Sequence, residues 1–221
     1  KVNLDSASGR VGWTRASEGL RLTFDDIRFA TPHTSGSASG SWRARAQGPG
    51  ILDLKAQLAR AEATHLYNYL PLTLDPLVRD WLRTAIKQGT ATDVKIAVAG
   101  DLADFPFADS RKGQFLVTFK VADVTLDYAQ NWPQLSGLDA DVRFEGAGLS
   151  VRATRARVFD ATVGPTRADI PHLGVAHPLL TIEGEAAGAT SDFVRFIDAS
   201  PVAEWTGRFT DGVQATGSGK L

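Results

Sequence analysis

Cysteine and methionine are both absent from this 221-residue chain. Without cysteine there is no disulfide framework, no thiolate metal site and no cysteine nucleophile. Charge of one sign is missing too: 24 Lys+Arg stand against 25 Asp+Glu, a net charge of −1. That balance argues against a nucleic-acid partner, which selects for a basic excess or stripe. No stretch approaches the roughly 18 consecutive apolar residues of a membrane-spanning helix. Catalytic patterns are equally scarce. His33, His65, His172 and His177 form no HExxH and no metal-ligand spacing, and each reads as a surface or loop residue. Ala38 occupies the place where a GxSxG elbow needs serine, and Gln214 and Leu221 break the pattern of a phosphate loop around Gly217 to Lys220. The pairs Asp139/Asp141 and Glu183/Glu185 are two apart on strand-like segments, as on a solvated sheet face. The chain therefore does not read as an enzyme, and no cofactor or metal is expected.

What is abundant is alternation. Leu20, Leu22 and Phe24 alternate with polar residues, as do Leu52, Leu54, Ala56 and Leu58, and Val94, Ile96 and Val98. Phe115, Val117, Phe119 and Val121 follow, then Val124, Leu126 and Tyr128, then Leu138, Ala140, Val142 and Phe144, and finally Leu180 and Ile182. A period of two marks half-buried antiparallel strands, apolar on one face and wet on the other. Glycine-rich and proline-containing breaks, including Gly48-Pro49-Gly50, Asn131 to Gly137 and Gly164-Pro165, separate them at meander intervals. The small-residue stretch Thr34 to Ser41 reads either as a linker or as a strand edge.

Helical signals are few. One helix is expected from Pro76 to Gln88, with Asp75 as N-cap and Gly89 as the stop, and with its Trp81 face against a sheet edge or trough end. A shorter one covers Thr64 to Leu70, stopped by Pro71. A third covers Ser191 to Asp198, capped by Thr190 or Ser191 and closed by Pro201. The passages Leu52 to Pro71 and Leu180 to Pro201 each run from an alternating strand into a short aromatic helix and a proline, which suggests an internal repeat. Phe105-Pro106-Phe107 is expected in a connection, its rings either plugging a groove end or capping a core.

Ten or so strands with apolar faces and three modest helices pose a problem of coverage. A sandwich or barrel, oligomerisation, or a curved sheet with an open apolar side for an apolar ligand would each solve it.

Between Thr64 and Leu149 the ordered set Tyr69-Leu70-Pro71, Trp81-Leu82 with Ala85 and Gly89, Gly100, Phe105-Pro106-Phe107, Gly113-Gln114-Phe115, Leu126-Asp127-Tyr128, Trp132-Pro133, Gly137 and Phe144 resembles the periplasmic region of YhdP-family proteins, which are large AsmA-like relatives of TamB. The resemblance implies a mainly β fold of curved antiparallel sheets forming an open apolar groove of the repeating β-groove type, with about three short helices. It implies one continuous groove segment over 1–221, with possible module boundaries near 60–90 and 188–201. It further implies a periplasmic bridge conducting phospholipids between inner and outer membrane. The partners would be phospholipid acyl chains and adjoining groove modules, with an inner-membrane anchor preceding Lys1. The lining would be Leu20, Leu22, Phe24, Leu52, Leu54, Leu58, Val94, Ile96, Val98, Phe115, Val117, Phe119, Leu126, Tyr128, Leu138, Val142, Phe144, Leu180 and Ile182. The alternative is a closed β-sandwich serving as a scaffold or adhesion module without lipid.

Overall fold

A computed structural model describes residues 3–16, 19–69 and 76–221. Its strands are β1 (Ser6–Ala16), β2 (Gly19–Ala30), β3 (Thr34–Arg43), β4 (Ile51–Glu62), β5 (Ile86–Asp101), β6 (Gly113–Leu126), β7 (Leu135–Glu145), β8 (Gly148–Val158), β9 (Ala161–Ile170), β10 (Thr181–Ala189) and β11 (Ser218–Lys220). They form one antiparallel sheet in strict sequence order from β1 to β11. The order does not close on itself, so the sheet is open and the closed sandwich is excluded.

Three α-helices accompany it: α1 (Pro76–Ala85), α2 (Thr190–Asp198) and α3 (Val202–Trp205), together with 3₁₀ turns at Ala63–Tyr69 and Leu102–Asp104. The helix expected to reach Gln88 ends at Ala85, because Ile86 already pairs with Leu126 in the ladder. Asp75, Leu70 and Pro71 lie outside the described residues. The segment expected as a helix from Thr64 is a 3₁₀ turn instead. Helix α2 carries no side-chain cap bond, so neither Thr190 nor Ser191 caps it. Both strand-to-helix passages of the suggested repeat, β4 into 63–69 and β10 into α2, lie at the same end of the sheet, since alternate strands run the same way.

Thr34 to Ser41 is neither linker nor edge: it is the body of β3, hydrogen-bonded between β2 and β4. Its small residues have a packing reason. Gly40 lies between Phe24 and Leu54, and Gly36 between Phe29 and Leu58. A Cβ on Gly40 would stand 2.0 Å from the Asp53 carbonyl oxygen. Glycine here lets β3 and β4 approach closely, at the cost of weaker intrinsic strand preference.

Strict alternation fails once in most strands, always the same way. Phe24 and Ile27, Leu58 and Ala61, Ala91 and Val94, Val121 and Val124, Leu135 and Leu138, Ala153 and Ala156, and Val163 and Thr166 are three apart, yet their partners place both members of each pair on one face. One extra residue per strand is a β-bulge, which bends the strand and increases its twist. Asp26, Asp93, Asp123 and Gly137 take up the insertion with φ of 49°, 53°, 52° and 58°. This explains two misread segments. Val121 and Val124 belong to one strand, and Gly164-Pro165 is no turn but the bulge of β9, a position where proline's missing donor is tolerated.

The line of bulges is held by side chains. The Asp139 carboxylate accepts from the backbone N–H of Asp123 at 2.9 Å and from the Arg155 guanidinium at 2.6 Å, tying β6, β7 and β8 together. Those two partners, the Asp123 amide first and Arg155 second, hold the Asp139 carboxyl below the usual carboxylate range. A lowered folded pKa gives stability that is present above the unfolded value of about 3.9 and is lost as pH falls through the folded value. Asp139→Asn should therefore lower the melting temperature at pH 7, and the gap to wild type should narrow steadily below about pH 4; a gap independent of pH would show that Asp139 does not act through its charge.

Trp81 is 43% exposed, with its indole N–H donating to the Tyr128 carbonyl at 2.9 Å. Helix α1 thus leans on the β6–β7 connection rather than burying its tryptophan. Trp81→Ala should cost about 1–2 kcal/mol in denaturant melts, the scale of one hydrogen bond plus partial burial, not the larger cost of emptying a core site.

Candidate functional site

The register assembles the apolar residues into rows running across the strands. Val11, Phe24, Gly40, Leu54, Val98 and Phe115 form one row over β1 to β6. Ile27, Ala38, Ala56, Ile96, Val117, Phe144, Leu149 and Ile170 form the next, over β2 to β9. Leu22 lies opposite Trp42, which in turn faces Leu52, and Leu58 lies opposite Val94. Phe119, Val142, Val151, Ala168 and Ile182 continue the face to β10, and Val124 meets Leu138 while Leu126 meets Leu135. Leu20 shares the parity of Leu22 at the start of β2 and is 37% exposed. Leu180 precedes β10, and Tyr128 lies past the end of β6, where its ring packs on Trp132 at 6.0 Å. These two stand at the ends of the face rather than in its rows. Burial raises the Tyr128 hydroxyl above its ordinary pKa.

The opposite face is wet. Lys120 pairs with Asp141, Asp141 with Arg152, and Thr118 with Arg143. Arg143 also bridges to Glu145, and Arg167 to Asp169. Such exposed pairs contribute little individually but make this face soluble.

The helical segments touch the sheet at the ends of β4, β5 and β10, so no second layer covers the apolar face among the described residues. Even so, Val94, Val98, Val124 and Leu138 retain only 5–8% exposure. Neighbouring side chains of the sheet itself therefore shield these positions without a covering layer. Cover is incomplete, however: no large side chain is fully buried among the described residues. The accessible area of 14,261 Å² exceeds the about 9,800 Å² expected of a compact monomer of this mass. Two shallow depressions sit at the bulges of β1 to β5: one is lined by polar residues such as Asp25, Asp26 and Arg28, and the other mixes Arg28, Gln57 and Lys95 with Phe29, Leu58 and Val94.

One end of the apolar face is bordered by the β5–β6 connection, which contains Phe105-Pro106-Phe107 as expected. Phe107 is 3% exposed and seated on Gly100 and Gly113, where an added Cβ would meet its ring at 2.8 and 2.5 Å. Phe105 lies over Phe115 with ring centroids 5.0 Å apart and is half exposed. The two rings divide the alternatives between them: Phe107 caps a core, and Phe105 stands on the face. At the other end Trp132 packs against both Phe196 and Trp205 at 5.9 Å, joining the β6–β7 connection to α2 and α3.

Sequence reading missed one grouping entirely. His33 meets Glu62 and His65, which lie about 30 residues further along the chain and three apart from each other, beside this second end. Only the pairing of the β2–β3 turn with the end of β4 brings them together.

The family model described as YhdP protein matches residues 1–221. The intermembrane phospholipid transporter YhdP of Escherichia coli (strain K12) is 22% identical over 221 residues, covering 98% of this chain and 17% of that protein. The chain thus spans about a sixth of the length of this curated relative. No solved structure matches.

The Phe pair makes the division between core and face measurable. Phe107→Ala should cost about 3–5 kcal/mol, as for a buried aromatic, while Phe105→Ala should cost about 1 kcal/mol or less, consistent with a half-exposed ring. Equal losses in denaturant melts would contradict the separate roles.

Proposed function

Because the chain belongs to the YhdP family, we propose that its apolar face is a track for the acyl chains of phospholipids. In this reading the chain is a groove segment of a longer periplasmic bridge that passes phospholipid between inner and outer membrane. An inner-membrane anchor and further groove modules lie elsewhere in the same protein. The single observation that carries the reading is a continuous apolar face, up to eight strands wide in one row, with no second layer over it. No helix among the described residues is long and apolar enough to cross a membrane, which suits a segment between membranes.

The energetics favour such a track. Holding an acyl chain of about 16 carbons in water costs on the order of 13 kcal/mol at about 0.8 kcal/mol per methylene. Contact with Leu, Val, Ile and Phe along the face removes much of this, while the charged head group stays at the open side. Hydrophobic contact is non-directional, so the chain can slide without breaking specific bonds. No residue acts as a catalyst in this scheme.

Photo-crosslinking tests occupancy. A benzophenone side chain at Val117 should capture phospholipid in cells, whereas one at Thr118 or Lys120 on the wet face should not. Equal capture at all three positions, or capture at none, would sink the reading.

Val117→Asp should separate transport from folding. An uncompensated carboxylate pressed against hydrocarbon costs several kcal/mol, yet on an open face it can be hydrated when lipid is absent. The variant should melt within a few degrees of wild type and fail to support lipid homeostasis in the full-length protein. A collapsed fold, or a stable fold with unaltered transport, would contradict the track.

A further inference from the structure

Three ligand-type side chains converge beside the helical end of the sheet, outside the apolar face. The Nδ1 atom of His33 lies 3.0 Å from Glu62 Oε2, and Nδ1 of His65 lies 3.2 Å from the same oxygen. The two imidazoles stack with centroids 3.5 Å apart and planes 7° from parallel, so both Nδ1 atoms face the carboxylate from one side. All three ligand atoms lie within 4.8 Å of one another. Around a tetrahedral zinc ion with bonds of about 2.0–2.1 Å, neighbouring ligand atoms are about 3.3 Å apart, close to both separations measured to Glu62.

The backbone segments that present these side chains are held by their own hydrogen bonds and tied to one another. His33 sits in a turn where Thr31 N–H donates to the Thr34 carbonyl at 2.8 Å and the Thr31 hydroxyl accepts from the N–H groups of His33 and Thr34. Thr31 and Thr34 are buried, and the Thr31 hydroxyl also pairs with the Tyr69 hydroxyl at 2.7 Å. Glu62 ends β4, with its N–H donating to the His33 carbonyl at 3.1 Å. His65 belongs to the 3₁₀ turn anchored by buried Ala63, and its Nδ1 also lies 3.2 Å from the Thr64 hydroxyl. A frame of this kind holds ligands in place before an ion arrives, which is the usual role of the groups behind a metal site.

We propose that His33, Glu62 and His65 bind a divalent transition-metal ion of the zinc class. Two imidazole nitrogens and one carboxylate oxygen suit zinc, copper or nickel rather than calcium or magnesium, which prefer all-oxygen shells. Modest rotation of the two rings about χ2 turns both lone pairs from the carboxylate to a common ion. The side chains are 33–41% exposed, which leaves a path for entry and room for water as a fourth ligand. An ion here clips the β2–β3 turn to the junction between β4 and the 3₁₀ turn, at the end of the sheet where its helices gather.

Zinc itself is the probe. In the intact wild-type protein, carbethoxylation of each histidine is followed by mass spectrometry with and without micromolar Zn²⁺. Metal at Nδ1 leaves Nε2 protonated and unreactive, so His33 and His65 should be slowed together at least tenfold, while His172 and His177 keep their rates. Equilibrium dialysis should find one Zn²⁺ fewer per molecule in His33→Gln/His65→Gln than in wild type, and affinity at that site at least tenfold weaker in Glu62→Gln. The labelling needs no variant, so it decides the matter even where the substitutions disturb folding. Unchanged labelling of His33 and His65 in Zn²⁺, or equal stoichiometry in folded wild type and double variant, would overturn the site.

Discussion

Everything in this molecule follows from the need to keep one face of a single sheet apolar over strands that must also bend. A strand's side chains alternate strictly, so any simple insertion moves every following residue to the wrong face. Here the insertion and the apolar pattern shift together: each bulged strand steps once by three and then resumes its period of two. The bend is obtained without spilling the apolar set onto the wet side. Left-handed backbone is uncommon for residues other than glycine, yet Asp26, Asp93 and Asp123 adopt it at three of these steps. Aspartate is among the side chains that tolerate that region, and on the wet face it is also soluble.

This coupling decides what could be read from the sequence. The alternation of Leu52 to Leu58 or Leu138 to Phe144 is unmistakable, and the face it implies is the one observed. The three-residue steps break the same signal, which is why β6 looked like two strands and the β9 bulge like a turn. β3 was obscured for another reason. Its glycines and serines have low strand preference, and only the large neighbours Phe24, Phe29, Leu54 and Leu58 make small residues the right filling. The histidine–glutamate grouping was invisible because His33 comes from a separate segment that only sheet register brings to Glu62 and His65.

The two ends of the sheet differ in construction. At one, Phe107 fills the space above Gly100 and Gly113, and Arg45 bridges to Asp101 across neighbouring connections. At the other, helices, the stacked histidines and the Trp132 cluster form a border spanning β2 to β10. Among the described residues, helical segments are placed where connections allow them and stay off the apolar face. A helix laid on that face would bury its leucines and phenylalanines permanently, and would convert an exposed apolar surface into an ordinary core.

On the proposed reading, a surface left apolar in this way must be soluble without cargo and attractive with it. Mutual shielding resolves the conflict in part. Neighbouring side chains bring Val94, Val98, Val124 and Leu138 below a tenth exposed, so the floor is largely dry before anything binds. Phe115, Val117, Phe119 and Phe144 stay partly exposed and supply the remaining gain. Because that gain comes from many partial contacts of about 0.1–0.2 kcal/mol per atom pair, no single row dominates. A chain sliding from one row to the next exchanges like contacts for like, so its binding energy changes little along the way. Tight capture would require a fully enclosed pocket with a few strong contacts, and an open sheet lacks the second wall to make one.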